Sequence, residues 1–227
     1  MKGKLIVIEG TDCSGKETQS KMLYDHLKKD NILVDKFSFP NYDSPTGKIV
    51  GGAYLGKKHI GPCLFEEGAV NVDPKVASLL YAADRLYNIN SINELLKNGT
   101  NVILDRYVYS NMAHQGGKIT DYKKRVEMYQ WLEELEFDFL KLPIPDISIF
   151  LHMPYLDACK LKKNRTELDQ HELDENHLIL AEKTYIELCE LFNWYKIECS
   201  NNGSIKSIDD IHNEVYTYVK RKIKWFF

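Results

Sequence analysis

"KLIVIEGTDCSGKETQS", residues 4–20, decides the fold. "KLIVIE" (4–9) is a continuous, β-branched apolar run ended by Gly10, which reads as a buried strand. Gly10, Gly15 and Lys16 then match the phosphate-loop pattern G-x-x-x-x-G-K-[ST]. Residues 16–29 follow as a helix, with Met22, Leu23 and Leu27 on one side. In such a turn the backbone N–H groups converge and the helix dipole favours an anion. Lys16 adds a point charge for outer phosphates. The strand before the loop and the helix after it argue against a chance match. The candidate nucleotide-binding residues are Gly10, Thr11, Asp12, Cys13, Ser14, Gly15, Lys16, Glu17 and Thr18. One position departs from the pattern: a hydroxyl that holds Mg²⁺ should follow the lysine, but Glu17 stands there and Thr18 comes one residue late. A carboxylate at a helix start is worth about 0.3–1 kcal/mol. It is also an oxygen donor suited to Mg²⁺. Cys13 reads as a small loop residue rather than a redox sensor.

Working outward, "VDKFSF" (34–39) is a strand stopped by Pro40, and 74–97 is helical. "NVILD" (101–105) and "DISIFL" (146–151) are strands. Residues 155–163 and 174–193 read as helices, "WYKIEC" (194–199) as a last strand and 207–224 as a last helix. This alternation predicts parallel strands joined by crossovers. The fold expected is an α/β, P-loop NTPase-like three-layer sandwich: a central parallel sheet of about five strands flanked by helices, one domain over 1–227. Ligands then sit at the carboxyl ends of the strands, from Gly10, Pro40, Asp105 and His152 onward.

Bulk properties narrow the function. The chain has 227 residues and a net charge of −3, so no global basic field points to nucleic acid. Five scattered cysteines suggest neither a disulfide framework nor a zinc site. No apolar run approaches the roughly 18 residues of a membrane span, and "MKGKLIVIEG" does not read as a secretory leader. A reducing cytoplasm is expected. The seven histidines show no zinc spacing. "KKHIGPCLFEEGAVNVD" (57–73) reads as a surface loop, and the basic aromatic tail "YVKRKIKWFF" as a helix packed on the body.

Two further stretches carry chemistry. In "NVILDRYVYS", Asp105 ends an apolar strand, where a carboxylate can hold Mg²⁺ through its water shell. Arg106 follows, and a guanidinium stabilises charge in phosphoryl transfer. In "NVDPKVASLLYAADRLYN", Val76, Leu79, Leu80, Ala83, Leu86 and Tyr87 share one side of a helix, and Ser78, Tyr81, Arg85 and Asn88 the other. Tyr81 and Arg85, one turn apart, can touch the same ligand. From the helix alone, the polar side reads as a solvated outer face.

Taken in order, the loop with Asp12 at its third position, "FP" after the second strand, "LLYAADR" and "DRYVYSNMAHQGG" resemble the thymidylate kinase family, from Lys4 to about Phe192, as a divergent bacterial-type member. That resemblance implies transfer of phosphate from MgATP to dTMP by a homodimer. By position it implies that Asp12 bonds the sugar 3′-hydroxyl, and that Phe39 and Pro40 line the acceptor pocket. Tyr81 would stack on the base, Arg85 would meet base or phosphate, Arg106 would bridge the two phosphate groups, and Ser110 and Gln115 would lie near the base. "CKLKKNRTELDQHE" (159–172) resembles a mobile lid, in which Arg165, with Lys163 near it, would supply the catalytic cation that Cys13 does not. A closing lid would limit wasteful hydrolysis. The implied catalytic set is Lys16, Asp105, Arg106 and Arg165, with Asp105 and Glu17 toward the metal.

Three departures bear on the substrate. "FPNY" places Tyr42 where the family often has a phosphate-binding arginine. His114 replaces the tyrosine of "AYQG", which helps exclude a ribose 2′-hydroxyl. "LDQHE" lacks one lid arginine. Alternatives are a kinase for dUMP, dGMP or a deoxynucleoside, and a nucleotide-dependent switch, although no N-K-x-D guanine-reading tetrapeptide occurs. A degenerate binder is disfavoured by the presence of Lys16, Asp105 and Arg106.

Overall fold

The computed structural model describes residues 2–162 and 169–223. At its centre are five parallel strands: β1 (Leu5–Gly10), β2 (Val34–Ser38), β3 (Asn101–Asp105), β4 (Ile147–His152) and β5 (Tyr195–Glu198). Their order is β2-β3-β1-β4-β5, and β6 (Ser200–Asn201) pairs with β7 (Ser204–Ile205) in a separate antiparallel hairpin. Every residue of β1 is buried, as a central strand covered on both faces requires. Ile8 stands opposite Asp105 on one side and Ile149 on the other. The connections diverge at β1, so a crevice opens at its carboxyl end, where a parallel sheet receives ligands.

Helices cover both faces: α1 (Lys16–Lys29), α2 (Pro45–Lys48) running into a π-turn at Ile49–Tyr54, α3 (Pro74–Lys97), α4 (Val108–Gly116), α5 (Tyr122–Glu133) running into a π-turn at Glu134–Phe139, α6 (Tyr155–Lys162), α7 (Gln170–Leu173), α8 (Glu175–Leu191) and α9 (Ile208–Ile223). Alternation along β1 divides the core. Ile6 and Ile8 pack with Leu23, Leu27, Ile211, Val215 and Val219 of α1 and α9. Leu5 and Val7 face the other way, toward Ile92 and Leu96 of α3, Met112 of α4 and Tyr185 of α8. Aspartates cap several helices: Asp73 accepts from Lys75 N and Val76 N before Pro74 opens α3, and Asp121 and Asp174 do the same work at α5 and α8.

Two sequence expectations need correction. Helix α3 is turned the other way round: Val76, Leu79, Leu86 and Tyr87 are 45%, 50%, 42% and 59% exposed, while Ser78 and Arg85 are buried. Its polar side is therefore not a solvated outer face. The 57–73 segment is more than a surface loop. Ala69 and Val72 are buried, and their carbonyls accept from Lys118 Nζ at 3.1 and 3.0 Å. Asp169 pairs with Lys57 at 2.9 Å, and Gln170 Oε1 accepts from Ala69 N at 2.6 Å, so this segment carries α7. The chain from His152 onward does reach the crevice, as expected: Leu161, Asp169, His171 and Glu172 line it. His152 is held by Glu182 at 2.9 Å and Glu198 at 2.5 Å, tying β4 to α8 and β5.

Candidate active site

Loop 10–16 is shaped by close approach. A Cβ on Gly10 would meet Ser14 Oγ at 2.6 Å and the Leu151 carbonyl oxygen at 2.7 Å, so only glycine fits. Gly15 is left-handed, at φ +82°, and among the described residues no side chain caps the start of α1. The N–H groups of the first turn thus remain available to an anion. Thr11 Oγ1 donates to the Met153 carbonyl at 3.1 Å, and Lys16 Nζ donates to the Thr11 carbonyl at 2.6 Å. Burial, and next the charge of Arg106, pull Lys16 down to about 8. A triphosphate would return the lysine toward its ordinary charged state.

Asp105 ends β3 beside this loop and is buried. Burial raises its carboxyl pKa, Lys16 and Arg106 pull it back, and Glu17 pushes it up again. The two carboxylates therefore share one field. Glu17 and Thr18 are exposed on the lip of the crevice, so an oxygen-rich lip adjoins the phosphate loop.

Arg106 has a left-handed backbone, φ +67°, which is uncommon for a residue with a side chain. It pairs with Asp12 and reaches Ser110 Oγ and Tyr185 Oη at 3.3 Å and the Gly10 carbonyl at 3.5 Å. Burial disfavours its charge, but Asp12 overcomes this and holds the guanidinium firmly charged. Ser110 belongs to the same network. The residue that organises it, Glu9, lies outside the sequence-derived set. Its carboxylate accepts from Tyr107 N at 2.8 Å, Ser110 N at 3.2 Å, Ser110 Oγ at 2.6 Å and Tyr185 Oη at 3.1 Å. Glu9 thereby caps α4 from a neighbouring strand, and burial raises its carboxyl pKa. The signal was present: a lone acid at the end of an otherwise apolar strand.

The crevice, about 390 Å³, runs from Lys16 and Thr18 past Arg106 to Phe39, Pro40, Tyr42, Tyr81 and Gln115. It falls in the size range of small-molecule sites. Phe39 is buried, and its N–H donates to the Asp105 carbonyl at 3.0 Å. The Phe39–Pro40 peptide is cis. Asp84 accepts from Asn41 N, Ser44 Oγ and Thr46 Oγ1 at 2.8–2.9 Å and so fixes the turn bearing Tyr42. Lys57 lies over the Tyr42 ring, 5.2 Å from its centroid. Tyr81 packs edge-on against Tyr54, with centroids 5.7 Å apart. Arg85 lines the crevice but is tied to Glu136 through Nε and Nη2, and Nη1 donates to the Tyr107 carbonyl at 3.4 Å. Both amide atoms of Gln115 and Oδ1 of Asn111 are buried with no hydrogen-bond partner among the described residues. Each such orphan costs about 1–3 kcal/mol. A ligand edge offering both donors and acceptors would relieve them.

His114 also lines the crevice, with Nε2 at 3.4 Å from Arg106. Burial, then Arg106, keep it neutral. Arg165 and Lys163, and the tail beyond Ile223, lie outside the described residues.

A phosphate loop at the switch point of a five-stranded parallel sheet, with an arginine between it and a second, aromatic-walled pocket, defines a P-loop phosphotransferase. The family model described as thymidylate kinase matches residues 8–215. The chain is 30% identical to the thymidylate kinase of Plasmodium falciparum, over 97% of this chain and 91% of that one. It is 29% identical to that of Schizosaccharomyces pombe, over 96% and 92%, and 32% identical to a probable thymidylate kinase of Methanocaldococcus jannaschii, over 95% of each. The structure of a thymidylate kinase from Candida albicans shares the fold, with a TM-score of 0.72 and 24% identity over 98% of this chain and 93% of that one. The chain belongs to the thymidylate kinase family. These relatives are eukaryotic and archaeal, so the expectation of a bacterial-type member is not borne out.

Proposed function

We infer that this chain is a dTMP kinase: it moves the γ-phosphoryl group of ATP to dTMP, giving ADP and dTDP. The observation that carries this reading is one continuous crevice with a phosphate loop at one end and orphaned amides beneath an aromatic wall at the other. A pyrimidine edge has the alternating donors and acceptors that Gln115 and Asn111 lack, and Tyr81 offers a face or edge to its ring.

The chemistry needs positioning and charge more than covalent help. The loop N–H groups and Lys16 hold the ATP phosphates. Arg106, held charged by Asp12, neutralises negative charge between donor and acceptor. An acceptor phosphate oxygen forms the new P–O bond as the β–γ bridging bond breaks, and the electron pair leaves on ADP. That oxygen is already ionised near neutral pH, since the second pKa of such esters is about 6, so no strong base is needed. The buried Asp105 and exposed Glu17 fit a hard cation, and Mg²⁺ held there would supply charge neutralisation on the nucleotide phosphates. Asp12 is the partner for the sugar hydroxyl, and Ser110 aligns Arg106. The chain works as one P-loop kinase domain, with a lid around 159–172 bearing Arg165. It acts as a cytoplasmic homodimer joined through the exposed apolar side of α3, without nucleic-acid or membrane partners.

The test is ADP release from MgATP with dTMP, dUMP, TMP, dGMP, dCMP and thymidine, against a no-acceptor control. A strong preference for dTMP is expected, and Gln115→Leu should weaken dTMP far more than ATP. Preference for another acceptor keeps the kinase and overturns the substrate. Absence of acceptor-dependent turnover, with ATP still bound, overturns the kinase reading.

A further inference from the structure

Three histidines far apart in the sequence meet on the wall of the crevice. His114 of α4, His171 of α7 and His177 of α8 each present a ring nitrogen within 4.8 Å of the other two. His114 Nδ1 and His177 Nε2 are 3.1 Å apart, and the His171 and His177 ring centroids are 4.3 Å apart. His171 and His177 are almost fully buried, at 5% and 3% exposure. A chelate of this kind carries no local sequence spacing, which is why the histidines gave no zinc signal earlier.

We propose that His114, His171 and His177 form a binding site for a transition-metal ion of the Zn²⁺ class, with its open coordination position toward the crevice. Zinc–imidazole bonds of about 2.0–2.1 Å put tetrahedral ligand nitrogens about 3.3–3.4 Å apart. One pair already stands near that separation, and the third nitrogen lies within 4.8 Å of both. Tyr54 Oη gives its proton to the Ala69 carbonyl at 3.0 Å, so at 3.1 Å it accepts from His171 Nε2–H. That tautomer leaves the lone pair on His171 Nδ1, with the outer nitrogen oriented by a fixed partner, as metal-bound imidazoles require. Burial keeps all three rings neutral, the form that binds metal. Arg106 and Lys118 add positive charge nearby, while Asp12, Asp169 and Asp174 offset it.

Three imidazoles select Zn²⁺, Co²⁺ or Ni²⁺ rather than Mg²⁺, so this site is chemically distinct from the carboxylates beside the phosphate loop. His114 and His171 line the crevice and His177 does not, which sets the direction of the open position. A bound ion would lock α7 to α4 and α8, next to Arg106. The proposal does not depend on which acceptor the crevice takes.

The test strips the full chain with a chelator, then titrates Zn²⁺ by calorimetry and Co²⁺ by visible absorption. One equivalent of Zn²⁺ is expected, unaffected by excess Mg²⁺ and by His59→Gln on the surface. His171→Gln and His177→Gln should each weaken it at least tenfold. Co²⁺ should give an intense d–d band that Zn²⁺ displaces. Zinc-edge X-ray absorption on the unmutated chain should count three imidazoles, a readout independent of whether the variants fold. Fewer than three imidazoles, no saturable binding, or equal affinity in folded His171 and His177 variants overturns the site.

Discussion

Lys16 shows what the phosphate loop does before nucleotide arrives. Its ammonium is buried against the Thr11 carbonyl, and burial with Arg106 lowers its pKa to about 8. Phosphates need the charged form, whose population falls tenfold per pH unit above the pKa. The Kd for MgATP, measured by calorimetry, should therefore be level below pH 7 and rise about tenfold from pH 7 to pH 9. A level profile across that range would place the lysine's pKa elsewhere. Glu17 poses the second residue-scale question. If its carboxylate serves the metal, Glu17→Ala raises the Mg²⁺ concentration for half-maximal turnover several-fold, and Glu17→Gln does so less. If it only complements the α1 dipole, the Mg²⁺ titration stays put and thermal stability drops slightly, by about 0.3–1 kcal/mol. The loop residues were legible because their geometry is local. Glu9 and Gln115 were less so, because what marks them is burial among groups brought in from other elements.

Arg85 and Glu136 join α3 to the π-turn after α5, with both side chains almost fully buried. Asn111 Nδ2 adds a contact to the same carboxylate at 3.3 Å. Removing one partner strands a buried charge, so Glu136→Ala should destabilise the fold by about 3–5 kcal/mol in urea unfolding. Arg85→Leu combined with Glu136→Leu should recover most of that loss. Equal losses for the single and double variants would show that packing, not charge, holds the elements together. This pair also explains how far element-level reading went. The strands and the helices at 16–29, 74–97 and 207–224 follow from apolar runs and periodicity. Residues 108–116 show no pattern, because α4 is buried on nearly every side and so has no polar stripe. In α3 periodicity alone turns the polar side to solvent, whereas the family resemblance turns it inward; Tyr81 and Arg85 do line the crevice, and Arg85 is in a buried ion pair.

That orientation of α3 has a consequence for the whole molecule. Val76, Leu79, Ala83 and Leu86 recur at spacings of three, four and three, all exposed, with Tyr87 beside them. This is the spacing of an a/d seam, and it stops at Asn90 and Asn93. A monomer in water gains nothing from such a seam, whereas a second copy would cover it on both chains about one twofold axis. The polar side of the same helix carries Tyr81 and Arg85 into the crevice, so an interface here would stiffen the acceptor wall. Light scattering should give twice the 26.4 kDa chain mass for the unmodified protein. Leu79→Glu with Leu86→Glu should give the single mass, because two like charges per helix would meet across the seam. Since these side chains already face solvent, the double variant should keep its circular dichroism, and its KM for the acceptor should rise more than its KM for ATP. A dimer that survives both substitutions would move the interface away from α3 and leave its seam without a partner.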